Sequence, residues 1–167
     1  MNWLALSAVS EFFAALFLLV SFVFVGLQLK QNREVQRASH QREILNAARD
    51  FFSITRSSNI VLEAVSICMK DYSRSTQSGK HIFTTWVIDF MLLVEQAWYM
   101  KRDGYINQAS YEGFEALMLS IFVTDGGKAL WPTLKQTWGQ DVSAHFERKL
   151  TDNTGDILKH YELMPYL

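Results

Sequence analysis

The sequence predicts an all-α protein: one N-terminal transmembrane helix continuing into an amphipathic stalk, followed by a small cytoplasmic helical bundle. Three observations predict it. An apolar run fills the N-terminal segment and every Lys and Arg lies from Lys30 onward; beyond that run, apolar residues recur at three- and four-residue spacing; and no stretch shows strand alternation or a hairpin turn. The 167 residues leave one domain of ordinary size once a span is set aside. With 16 basic against 17 acidic residues, the balance argues against nucleic acid or any strongly charged partner.

The anchor is assigned to residues 1–29. From Phe12 to Leu29 only Ser21, Gly26 and Gln28 are not strongly apolar, and at about 1.5 Å per residue this stretch reaches roughly 27 Å, close to a hydrocarbon core. The run begins at Trp3, an aromatic residue suited to the far interface. A cleaved signal peptide would carry a basic residue before the run and a small-x-small site after it, and neither is present. A buried core helix would show a polar face. Lys30, Arg33, Arg37, Arg42 and Arg49 follow the span while no Lys or Arg precedes it. The positive-inside rule therefore places a single pass in the cytoplasmic (inner) membrane, N-terminus outside and C-terminal domain in the cytoplasm. Lys30, Arg33 and Arg37 are expected to contact lipid headgroups, at about 1 kcal/mol each near an anionic surface; an ordinary solvated topology signal explains the same residues.

Glu11 reads either as an intramembrane carboxylate or, more simply, as a hydrated residue at the outer headgroups. Ser7, Ala14, Ser21 and Gln28 recur every seven residues with Glu11 on the same seam. Such a stripe lets membrane helices approach closely, so these five are the expected association residues, for a homo-oligomer or for docking to another membrane protein.

The stalk is assigned to 30–57 and the bundle to 58–167. No Gly or Pro falls between Gln28 and Ser57, and Val35, Ala38, Leu45, Ala48 and Phe52, with Ile44 and Phe51, predict the packed face. Arg33, Arg37 and Gln41 are placed opposite. Ser57 to Asn59 cap a second helix from Ile60 to about Tyr72, Ser73 to Gly79 reads as a loop, and His81 to Arg102 reads as the central helix rather than a second span. Asp103 and Gly104 end it. Asn107 or Ser110 caps the next helix through Val123, the pair Gly126 and Gly127 makes a turn, and Lys128 to Trp138 forms a short helix around Pro132. Asp141 caps a last helix, and a terminal apolar patch from Ile157 to Leu167 is expected to dock.

Four segments, Leu27 to Asn32 (LQLKQN), Glu95 to Ile106 (EQAWYMKRDGYI), Gly126 to Trp138 (GGKALWPTLKQTW) and Phe146 to Leu150, together with the order of helices, give a likeness over most of the chain. In these the chain resembles an uncharacterised family of small bacterial membrane proteins that join one span to a helical cytoplasmic domain. The resemblance implies a topology; no segment is a catalytic signature and no activity comes with it.

Chemistry is not readable in the sequence. Glu-x-x-His pairs for a di-metal bundle are absent: His40 and Glu43 stand in reversed order, and His145 sits beside Glu147. Cys68 has no spacing to a histidine and reads as a small buried apolar residue. Gly126, Gly127 and Lys128 lack the rest of a phosphate-binding pattern, and Asp89 and Glu95 do not share a helix face. No catalytic, metal or cofactor residue is assigned. Trp86, Phe90, Trp98, Trp131 and Trp138 are the residues expected to line an apolar pocket if one exists, and otherwise fill the core. The leading expectation is a membrane-anchored interaction or scaffold module without chemistry of its own. The alternative is a membrane-tethered domain that binds a lipid-like or apolar ligand.

Overall fold

A computed structural model describes residues 3–152, and among them the chain is all-α without a strand: α1 Trp3–Ser57, α2 Asn59–Lys70, a 3₁₀ turn Tyr72–Arg74, α3 Gln77–Arg102, α4 Gln108–Phe122, α5 Asp125–Leu134 and α6 Gln140–Asp152. The expected docking patch from Ile157 to Leu167 lies outside the described residues. The chain divides into two compact units, Met1–Ser39 and His40–Leu167.

In the first unit no described side chain of α1 is buried. Every described large apolar residue from Val9 to Leu29 is exposed, up to 73% for Phe22. This is one helix long and apolar enough to cross a membrane, near the N-terminus.

In the second unit, helix ends are set by short polar side chains. Ser58, Thr76, Asn107 and Thr124 each accept the backbone N–H three residues on, satisfying a donor that the helix itself leaves open, for about 1 kcal/mol per cap. At the end of α3, Gly104 takes φ 76 and lets the Tyr105 N–H reach the Met100 carbonyl at 2.7 Å, a Schellman closure. The core forms around α3, whose Phe83, Val87, Phe90, Val94 and Ala97 are fully buried, which is why this apolar helix reads as an interior element and not a span. Cys68 is buried in the same core.

Three local expectations are corrected. The packed face of α1 comprises Ile44, Ala48, Phe51 and Phe52 with His40 and Gln41, while Val35 is 68% and Leu45 46% exposed. Gln41 was assigned to the outer face, yet its amide donates to the Ser110 hydroxyl at 3.1 Å. The expected loop from Ser73 to Gly79 is a 3₁₀ turn followed by the first turn of α3. Gly126 and Gly127 are not a turn: they lie in the first turn of α5, buried, where a Cβ on Gly126 would stand 2.6 Å from the Cys68 carbonyl oxygen and one on Gly127 2.0 Å from that of Ile121. Their role is close backbone approach.

Candidate functional site

On the N-terminal helix the expected association residues share one seam, because seven residues advance an α-helix by nearly two full turns with about 20° of drift. The structure shows what their polar groups do in the single helix. Ser21 donates to the Phe17 carbonyl at 2.8 Å and Ser7 to the Glu11 carboxylate at 3.2 Å, so both hydroxyls are already satisfied. Gln28 is exposed and its amide has no partner among the described residues. What Ala14 and Ser21 offer a second helix is therefore small volume more than new hydrogen bonds. Lys30, Arg33 and Arg37 are all exposed and none forms an ion pair with a described residue.

The five aromatic residues expected to line a pocket fall into three groups. Trp86 and Phe90 stack with Phe51, at ring separations of 5.4 and 5.5 Å, and the Trp86 indole N–H donates to the Thr55 hydroxyl at 2.8 Å. Trp131 and Trp138 lie together on Phe122 and Phe146, 4.6 Å for Trp131 to Phe122 and 4.7 Å for Trp138 to Phe146. Trp98 stands apart, edge-on to Tyr111 and tilted against His145 at 4.7 Å. Of the five, Trp86 borders a cavity between α1, α2 and α3; Phe90 and Trp138 are buried in the core, and Trp98 and Trp131 are half-buried against it.

A polar constellation that the sequence did not reveal surrounds Trp98. Glu115 of α4 is buried, hydrogen-bonded to His145 of α6, with the Lys149 ammonium 3.5 Å from its other oxygen. One turn earlier on α4, the Tyr111 hydroxyl is buried beside Glu115, and burial first, then the Glu115 carboxylate, pushes its pKa up. Lys101 of α3 covers both rings, its Nζ 5.4 Å from Trp98 and 4.9 Å from Tyr111. Two helices thus meet at one buried carboxylate with the Lys149 ammonium beside it, while Lys101 of a third covers the neighbouring rings. The available signal was the pair of i,i+4 couples, Tyr111 with Glu115 and His145 with Lys149, each on a stripe otherwise apolar (Phe114 and Met118; Val142 and Phe146).

The other chemical candidates resolve into surface or capping contacts. His40 and Glu43 meet at 3.5 Å on an exposed helix surface, and Glu147 pairs with Lys135 at 2.9 Å. Glu95 accepts the Gly139 N–H at 3.1 Å and so holds the start of α6, the position at which Asp141 was the expected cap. Gly126 and Gly127 are pressed on protein backbone, leaving no cradle for a phosphate. Among the described residues, no group of three or more His, Cys, Asp or Glu side chains is placed to hold a metal ion. Comparison with family models, with curated proteins and with solved structures returns no match.

Proposed function

We propose that the chain is a single-pass inner-membrane protein that works as an interaction or scaffold module, its span associating with a second copy or another membrane helix and its helical bundle lying in the cytoplasm. One observation carries the reading: the apolar side chains from Val9 to Leu29 have no protein cover. Covering roughly a dozen large apolar side chains at about 1.5 kcal/mol each is on the order of 20 kcal/mol, more than the ~5–15 kcal/mol that holds a whole domain folded. Water is thus a poor solvent for this surface, and a hydrocarbon layer matches its length. The exposed Lys30, Arg33 and Arg37 favour the cytoplasmic side for the residues that follow.

The seam of Ser7, Glu11, Ala14, Ser21 and Gln28 supports association, and the test is direct. Leu at both Ala14 and Ser21 should at least halve association in a bilayer reporter assay, while Leu at Val20 and Val23 should leave it unchanged; equal signals from both pairs would remove the seam from the proposal. Fusing a reporter active only in the cytoplasm to Leu167 should give activity, and a silent fusion alongside an active periplasmic one would reverse the topology.

A further inference from the structure

The cavity beside Trp86 has a composition that selects a ligand class. It holds about 170 Å3 between Phe52 and Arg56 of α1, Leu62 and Val65 of α2, and Trp86 of α3. Its wall is hydrocarbon and ring. The one inner polar group, the Thr55 hydroxyl, is already engaged, accepting from the Trp86 indole N–H at 2.8 Å and donating to the Phe51 carbonyl at 3.0 Å. At the mouth stand the exposed Ser66 hydroxyl and the exposed Arg56 guanidinium, which has no carboxylate partner among the described residues. The slot is therefore apolar inside and cationic at its entrance.

Size narrows the occupant. An apolar protein cavity of about 150 Å3 takes a single benzene ring, so this one admits a hydrocarbon part of about six carbons or one ring, too little for a two-chain lipid or a helix. Charge narrows it further, since a guanidinium offers parallel N–H groups that match a carboxylate. We infer that the cavity binds a small apolar monocarboxylate, its hydrocarbon end against Trp86 and its carboxylate on Arg56. This goes beyond the anchoring reading and does not depend on it, because every residue involved belongs to the second compact unit.

The test uses the full chain in nanodiscs of phosphatidylcholine, with ¹⁵N-labelled tryptophan and the Trp86 indole signal assigned by its loss in Trp86→Phe. Hexanoate should shift that signal saturably, with half-saturation about threefold to fivefold below that of 1-hexanol, the preference expected of a charge-assisted contact at an exposed site. In Arg56→Gln, an exposed change that leaves the fold intact, the two probes should become equal. Leu62→Trp at the rim should abolish both responses. An absent or non-saturating shift in the wild-type chain, equal binding of acid and alcohol, or a preference that survives Arg56→Gln would each overturn the inference.

Discussion

Replacing Gly127 by Ala is the sharpest test of how the bundle is assembled. Among the described residues Gly104 alone has a positive φ, so backbone freedom is not what Gly127 supplies. A Cβ there would lie 2.0 Å from the Ile121 carbonyl oxygen and 2.6 Å from the Phe122 Cα, about 1.3 Å inside the ~3.3 Å at which carbon and oxygen normally meet. Both obstacles are α4 backbone, which cannot rotate aside. Moving α5 outward instead disrupts the linked cap, in which Thr124 Oγ1 donates to Ile121 O at 2.6 Å and accepts the Gly127 N–H at 3.1 Å. Overpacking costs about 1–3 kcal/mol and a lost cap about 1 kcal/mol, offset by roughly 0.5–1 kcal/mol of better helix propensity. The net loss is about 2–3 kcal/mol, or roughly 10 °C in Tm for a bundle of this size. Gly113→Ala is the matched control: exposed, in the interior of α4 and with nothing within 4 Å of its added carbon, it should raise Tm by a few degrees through about 0.5–1 kcal/mol of propensity. Near-UV circular dichroism of the full chain in detergent, heated reversibly, reads both. If the two variants melt alike, the claim that α4 and α5 touch through bare backbone is wrong.

Two further outcomes concern ionisable groups. The Ser73 hydroxyl, then the Arg74 and Ser73 backbone N–H groups, hold the Asp71 carboxyl below its ordinary range; a depressed folded pKa gives stability that is present above the unfolded value and lost as pH falls through the folded one. Asp71→Asn should therefore lower Tm near pH 6, and the difference from the wild-type chain should shrink as pH falls below the unfolded value of about 3.9. Tyr111 has the opposite sign, its pKa raised first by burial and then by the Glu115 carboxylate, so its contribution is intact below the unfolded value and declines as pH rises past about 10. Tyr111→Phe should therefore lose less stability than the wild-type chain as pH rises above about 10.

The helix order, the caps at Ser58 and Asn107 and the stop at Gly104 are legible because they rest on local signals: a serine or asparagine before an apolar repeat, a glycine after one, and a run of Phe, Leu and Val with no polar face; the caps Thr76 and Thr124 are not, since one stands in a polar run and the other before a glycine pair. The packed side of α1 was not. Leu45 and Ile44 are neighbours in sequence about 100° apart on the helix, and which one faces inward is decided only when the helix docks on the core, where Ile44 is buried. Gln41 was put on the solvent side by its polarity, yet Ser110, distant in sequence, supplies its partner. The same blindness hid the Glu115 constellation, since a glutamate on α4 and a histidine and lysine on α6 each read as solvated until the helices are docked. The pair Gly126 and Gly127 stands out in the sequence but its role does not: sequence distinguishes poorly between a glycine that bends a chain and one that lets another backbone come near.

That constellation bears most on α6, a helix with little apolar cover. Only Val142 and Phe146 of its residues are fully buried, with Leu150 partly so, and two such side chains contribute about 2–3 kcal/mol each against an ordering cost of about 1 kcal/mol or more per backbone residue. Apolar contact alone leaves α6 short, and the contact of Glu115 with His145 and Lys149, together with Glu95 on the Gly139 N–H, supplies polar ties at defined positions along it. A buried ion pair is rarely better than well-packed apolar residues, but removing one partner leaves the other uncompensated. Glu115→Gln should therefore release α6 preferentially: its amides should exchange with deuterium about tenfold faster than in the wild-type chain, whereas those of α3 should change less than twofold. His145→Gln should do the same, and the double variant should exchange little faster than either single one, because both break one tie. Uniform acceleration across α3 and α6 would mean that the carboxylate supports the whole core and not this helix; additive effects in the double variant would mean that the two side chains act separately.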